Sequence, residues 1–180
     1  MLRFEKESDP GILHDFICGI DAMDDFIHGD LGVFLKKDPS YQFFVVREDT
    51  SGEIIAMYVI SNGIFIDYDN QFSYLPFGQR WGYLDDELEL HEGTMFPTLE
   101  IDYLAVRKDI RGRGYGKRII SELNYLASQK GLFFITVEAY YEHDYSAIPF
   151  YEKSGFFPLQ EISSEENTIR MALRVTSDNQ

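Results

Sequence analysis

The stretch Arg111-Gly112-Arg113-Gly114-Tyr115-Gly116 constrains this chain more than any other. It separates a run of strand character, Leu99 to Val106, from a run of helix character, Lys117 to Lys130. Glycine has no Cβ, so a glycine-rich turn lets backbone and ligand approach closely. The first N–H groups of the following helix have no intrahelical acceptor and point outward as donors. With the helix dipole they form a site for a phosphate or pyrophosphate. The glycines at 112, 114 and 116 match neither the G-x-x-x-x-G-K-S/T loop nor the G-x-G-x-x-G spacing, which sets aside two common nucleotide-binding arrangements.

The flanking pattern is of mixed type. Asp9 and Pro10 read as a cap and first position of a helix ending near Gly19, and Asp21 as the cap of a second helix reaching Phe34. Tyr41 to Arg47 and Glu53 to Ile66 read as strands joined by the turn Glu48 to Gly52, a hairpin. Residues 67–97 read as a long connection with one short helix, carrying Trp81, the acidic run Asp85-Asp86-Glu87 and His91. Leu99, Ile101, Tyr103 and Ala105 alternate along a strand. Gly116, Ile119, Ile120, Leu123 and Ala127 follow at helical spacing, and Gly131 stops that helix. Leu132 to Ala139 reads as a buried strand of parallel type, Ser146 to Lys153 as a helix and Thr168 to Val175 as a last strand. Strand, helix, strand, helix after an antiparallel hairpin is an α+β arrangement, and 180 residues suit a single domain, 1–180.

Charge and cysteine usage narrow the partners. The net charge is −15, a field that favours a cationic partner and makes nucleic acid and anionic membrane unfavourable ones. Arg111, Arg113, Lys117 and Arg118 form a local basic group against that trend, open to an RNA-binding reading. The one cysteine, Cys18, cannot make an internal disulfide, and no apolar signal core or run of ~18–20 apolar residues is present, so a cytoplasmic location is expected. His14, His28, His91 and His143 form no metal-ligand spacing, so no metal is expected.

Three segments, in order, resemble the GNAT superfamily of acyl-CoA-dependent N-acetyltransferases. They are the strand Leu99-Glu100-Ile101-Asp102-Tyr103-Leu104-Ala105-Val106, the turn Arg111 to Gly116 in the form Q/R-x-x-G-x-G/A, and Ala147-Ile148-Pro149-Phe150-Tyr151-Glu152-Lys153-Ser154-Gly155-Phe156. The resemblance implies a central mixed, twisted sheet of about six to seven strands, splayed at the acyl-CoA site and flanked by helices. It implies acetyl-CoA as co-substrate. The main chain of Leu104, Ala105 and Val106 would pair with the pantetheine arm. Arg111, Gly112, Arg113, Gly114, Tyr115 and Gly116 would hold the pyrophosphate, with Lys117 adding charge. Tyr151 would protonate the departing thiolate, a role its phenol suits, although a tyrosine on an amphipathic helix also packs in cores. Glu100 matches the position of a general base for the attacking amine, and Asp102, two residues on, is the other candidate; neighbouring carboxylates raise one another's pKa. Either also suits a salt bridge or a cationic substrate. Where the family often carries Asn this chain has Asp144, which accepts but cannot donate when ionised.

The implied activity is transfer of an acetyl group to a primary amine of a small molecule, peptide or protein, by direct attack in a ternary complex. Phe72, Tyr74, Phe77, Trp81 and Tyr83 are candidates for the acceptor wall. A second reading comes from Phe16-Ile17-Cys18-Gly19 and Met23-Asp24-Asp25-Phe26, which resemble the branch of toxins acetylating aminoacyl-tRNA. A third is a non-catalytic acyl-CoA-binding module. GNAT relatives are often dimers, so a homodimer is an expected partner state.

Overall fold

The computed structural model of the protein describes residues 2–76, 78–84, 90–160 and 167–176, the side chains of 81, 83, 84, 90 and 91 excepted. The chain divides into two compact units, Met1–Ser61 with Ile101–Glu122 and Asn62–Glu100 with Leu123–Gln180.

In the first unit, β1 (Leu2–Glu7) pairs antiparallel with β2 (Gln42–Glu48), and β2 with β3 (Ile54–Asp67). The end of β5 (Leu90–Val106) continues this order beside β3: the Arg107 N–H donates to the Ile55 carbonyl at 2.9 Å. Phe43 and Val45 alternate inward on β2, Met57 and Val59 on β3, and they meet Ala105. Leu13 and Phe16, ahead of the helical segment, and Ile27 and Leu31, within it, close the same core. That segment runs from Asp21 to Phe34 as α1 (Asp21–Asp25), a π-turn (Phe26–Asp30) and α2 (Leu31–Phe34). Ile27 and Leu31, four residues apart, fall on one face.

Two sequence expectations change here, and one strand is new. The helix from Pro10 to Gly19 is a single 3-10 turn, Pro10–Leu13, although Asp9 caps it by accepting from the Gly11 N–H at 2.9 Å. The backbone beyond bonds elsewhere: the Asp24 carboxylate accepts from the Cys18 and Gly19 N–H groups at 2.7 and 2.8 Å. The next helix is preceded by Ile20 without a side-chain cap, so Asp21 does not serve as one. β1 was hidden by its charge: Leu-Arg-Phe-Glu-Lys-Glu lacks an apolar run, and its charges pair across the sheet, Arg47 with Glu5 at 2.9 Å and Arg3 with Asp49 at 3.1 Å.

The second unit has the strand order β3-β5-β6-β9-β8, with β4 (Gln79–Leu84) on β5. β6 (Phe134–Glu142) and β9 (Thr168–Arg174) pair antiparallel from Phe134↔Arg174 to Tyr140↔Thr168. The short β7 (Tyr145–Ser146) and β8 (Phe157–Pro158) pair with β6 and β9. The described residues thus hold nine strands, more than the six to seven implied, mostly in antiparallel pairs. In place of a short helix, part of 67–97 is the antiparallel pair β4 and β5, with Gln79 opposite Met95 and Leu84 opposite Leu90. Trp and Tyr in β4 favour a pleated surface over a helix. The core here is aromatic: Phe134 lies 4.6 Å from Phe65, 5.0 Å from Phe72 and 5.4 Å from Phe96, ring centre to ring centre.

β5 leads into α3 (Tyr115–Gln129) and α3 into β6, the strand-helix-strand order read from the sequence. Ile119, Ile120, Leu123 and Ala127 form the buried stripe of α3. Among the described residues no helix is long and apolar enough to cross a membrane.

Candidate active site

The turn after β5 is held at its base and open at its tip. The Lys108 N–H donates to the Ile17 carbonyl at 2.9 Å, and the Arg107 guanidinium pairs with Asp109 at 2.7 Å and Glu53 at 3.1 Å. Arg111 Nε donates to the Val106 carbonyl at 3.4 Å. Beyond this anchor Gly112 and Gly114 take φ of +77° and +83°, the left-handed region where a side chain is strained. A Cβ built on either would meet nothing of this chain within 4 Å. The space both glycines leave is free for a ligand, and α3 begins at Tyr115 with its first N–H groups unused by the helix. The first helical bond there runs from the Arg118 N–H to the Gly114 carbonyl, at 3.1 Å. Arg111, Arg113, Lys117 and Arg118 are exposed around this tip. Donors, dipole, positive charge and missing Cβ atoms fit the pyrophosphate of acetyl-CoA. Leu104 and Val106 are half-buried and Ala105 buried at the exit of β5.

Glu100 lies on β5 in the second unit, its side chain 13% exposed. Three elements surround it. Thr136 on β6 donates its hydroxyl to Glu100 Oε2, and the Thr98 and Thr136 hydroxyls are 2.8 Å apart. Arg170 on β9 donates to the same Oε2 at 2.9 Å, to Glu138 Oε1 at 2.7 Å and to the Ile64 carbonyl at 3.1 Å. Gly63 on β3 passes so close that a Cβ there would lie 2.5 Å from Glu100 Oε2 and 2.6 Å from Thr98 Oγ1. Burial pushes the Glu100 carboxyl above its ordinary range; Thr136 and Arg170 pull it back and the Glu138 charge adds to the rise. The carboxylate that raises Glu100 is therefore Glu138 from across the sheet, not the sequence neighbour Asp102. Asp102 accepts from the Ser61 hydroxyl at 3.2 Å in the first unit.

Tyr151 lies in α4 (Ile148–Lys153) and is 6% exposed. Phe150 and Phe156 meet its ring edge to face, at 5.0 and 5.1 Å. Burial, then the neighbouring Tyr145, raises its phenol well above the ordinary value, so it stays protonated and able to donate.

A cavity of about 370 Å³ opens in the same unit, with Ile66, Asp69, Phe72, Phe157, Leu159 and Arg170 on its walls. Of the expected acceptor wall, Phe72 lines it, and Tyr74 is exposed with its hydroxyl accepting from Arg174 at 2.8 Å. Phe77, the run 85–87 and the side chains of Trp81, Tyr83 and His91 lie outside the described residues. His143 and Asp144 are exposed and 2.8 Å apart in the turn after β6. Cys18 is buried, and burial pushes its thiol up to about 11, which removes it as a nucleophile at neutral pH. No cluster of three metal-ligating side chains occurs among the described residues. Sequence reasoning missed Gly63, Thr136, Glu138 and Arg170. Only Gly63 carried a signal, since a glycine inside a strand marks a close approach.

The profile of the acetyltransferase (GNAT) domain matches residues 39–158, two thirds of the chain. The chain belongs to the GNAT acetyltransferase family and is an acetyl-CoA-dependent acyltransferase. Similar solved structures include AtaT complexed with acetyl-methionyl-tRNAfMet, at 18% identity and TM-score 0.62, covering 94% of this chain and 94% of that one. AtaTR bound with acetyl-CoA matches at 18% and 0.60, over 94% of this chain and 92% of that one. The KacTA-DNA complex matches at 17% and 0.61, over 97% of this chain and 94% of that one. At such identities these similarities establish the fold.

Proposed function

We propose that this acetyltransferase moves the acetyl group of acetyl-CoA to the α-amine of an aminoacyl-tRNA, in the manner of the toxin branch, and that residues 1–180 act as one GNAT-type domain. The observation that carries the reading is the local basic strip. Six of the 16 Lys and Arg residues fall within 107–118; Arg107 is paired with Asp109 and Glu53, which leaves Lys108, Arg111, Arg113, Lys117 and Arg118. A net charge of −15 argues against nucleic acid for the surface as a whole, but phosphate contacts are made by local cations. Likeness along nearly the whole chain to a toxin solved with acetyl-methionyl-tRNAfMet supports the same acceptor class. The 370 Å³ cavity, apolar on the Phe72, Phe157 and Leu159 side and acidic at Asp69, suits the amino-acid end of such an acceptor.

In this reading Glu100 takes a proton from the acceptor ammonium, and the freed amine attacks the thioester carbonyl. The C–N bond forms and the C–S bond breaks; Tyr151 gives its proton to the departing thiolate, and the second proton, which the new amide nitrogen sheds, returns to the Tyr151 phenolate through solvent. A free thiol's ordinary pKa, about 8.5, lies below that of a phenol. A thiolate leaving inside a protein is itself desolvated and more basic, so hydrogen-bond donation by Tyr151 helps most as the bond breaks.

The test is acetyl-CoA-dependent thiol release with charged tRNA, uncharged tRNA, polyamines, amino acids and peptides, beside growth on expression of the chain. Turnover restricted to charged tRNA, with growth arrest, supports the reading. Turnover of free amines alone places the enzyme with small-molecule acetyltransferases, the reading its net charge favours. Binding of acetyl-CoA without turnover of any acceptor supports the non-catalytic module.

A further inference from the structure

Glu100 is not held by its own strand. Its carboxylate is reached from three others: by Thr136 of β6, by Arg170 of β9, and by the backbone of β3 at Gly63, where a Cβ would collide with Oε2. Both donors converge on Oε2, and Arg170 also serves Glu138. One guanidinium thus bridges two carboxylates, at 2.9 and 2.7 Å, while forming part of the wall of the 370 Å³ cavity. Two donors engage the lone pairs of Oε2, so the next proton goes to Oε1.

We propose that Arg170 is the positioning residue of this site: it fixes Glu100 through Oε2, shares its charge with Glu138, and leaves Oε1 to take the proton of the acceptor amine. The inference rests on Glu100 being the base. The arrangement solves a physical conflict. A buried carboxylate tends to be neutral, and a neutral carboxyl cannot accept the amine's proton; an adjacent guanidinium restores the anion. A full, unshared ion pair would overshoot and make the carboxylate a weak base. Glu138 takes part of the cation's field and prevents this. The charged groups facing Glu100 are Arg170 from β9 and Glu138 from β6; β3 presents Gly63, and the next carboxylate on β5 is Asp102.

The test is a carbon-13 carboxyl titration of the full chain, with the Glu100 resonance assigned by its loss in Glu100→Gln. In Arg170→Met the Glu100 midpoint should rise by about one pH unit or more, the usual effect of losing an adjacent opposite charge. Arg170→Lys should restore part of that shift, and Glu138→Gln should move the midpoint down. Turnover should fall in Arg170→Met with acetyl-CoA affinity unchanged. If Arg170→Met does not fold, the opposite displacements expected for Arg170→Lys and Glu138→Gln carry the test. An unmoved Glu100 midpoint in folded variants, or shifts of one sign in all of them, overturns the proposal. Wild-type turnover by Glu100→Gln, with the shifts as expected, overturns instead the reading of Glu100 as base, and the positioning role with it.

Discussion

In the proposed mechanism, the turn at residues 111–116 and the carboxylate at Glu100 face opposite problems. The turn is exposed, built from consecutive residues, and offers backbone N–H groups and the space of missing Cβ atoms. Glu100 is largely buried and is held by side chains from β6 and β9 beside a bare backbone on β3. A phosphate is large and fully charged, so a local, solvated cradle suffices to bind it. Proton transfer needs a tuned group, and tuning needs burial with partners from elsewhere in the sheet. In the proposed site, binding is local in sequence and the chemistry is assembled at long range.

The contrast yields predictions that separate binding from catalysis. Tyr151→Phe removes a proton donor and little volume. It should lower kcat by about 10²- to 10⁴-fold, the usual size of an acid–base contribution, with the Kd for acetyl-CoA unchanged by calorimetry. Equal loss of both would make Tyr151 a packing residue. Gly114→Ala puts a Cβ at φ +83° and into the ligand's space. Acetyl-CoA affinity should drop about tenfold, or roughly 1.4 kcal/mol, with kcat at saturation nearly intact; unchanged affinity would move the phosphate away from the turn.

Smaller effects concern stability. Asp24→Ala strips the acceptor from the Cys18 and Gly19 N–H groups and should cost about 1–3 kcal/mol in urea unfolding, without altering kcat. The Glu100 carboxyl has a raised folded-state pKa, so its contribution to stability is present at low pH and lost as pH rises through that value. Glu100→Gln lacks this loss. Its Tm should therefore gain on the wild type as pH climbs from about 4 toward neutrality, and parallel Tm curves would contradict the buried-carboxylate picture.

The same contrast decided what the sequence could reveal. The Arg111–Gly116 turn, the α3 stripe and α4 with Tyr151 are contiguous patterns, and each lies where its residues indicated. The helical run to Phe34 was read from Asp21 as its cap, a place Ile20 takes instead, and its anchor, Asp24 reaching back to Cys18 and Gly19, was not legible. β1 escaped because in this charged edge strand the apolar alternation is only Leu2 and Phe4, too short to stand out. Thr136, Glu138 and Arg170 stood in strand-like runs as ordinary polar residues. Only the pairing of β6 with β9, Glu138 opposite Arg170, and the neighbouring order of β5 and β6 bring them to Glu100.

The most direct test of the division between cradle and base is Glu100→Gln measured twice, by calorimetry for acetyl-CoA and by single-turnover transfer to methionyl-tRNA. Wild-type affinity with transfer slowed by about 10²-fold or more is the expected result. Transfer at the wild-type rate, or loss of acetyl-CoA binding alongside loss of transfer, would contradict it.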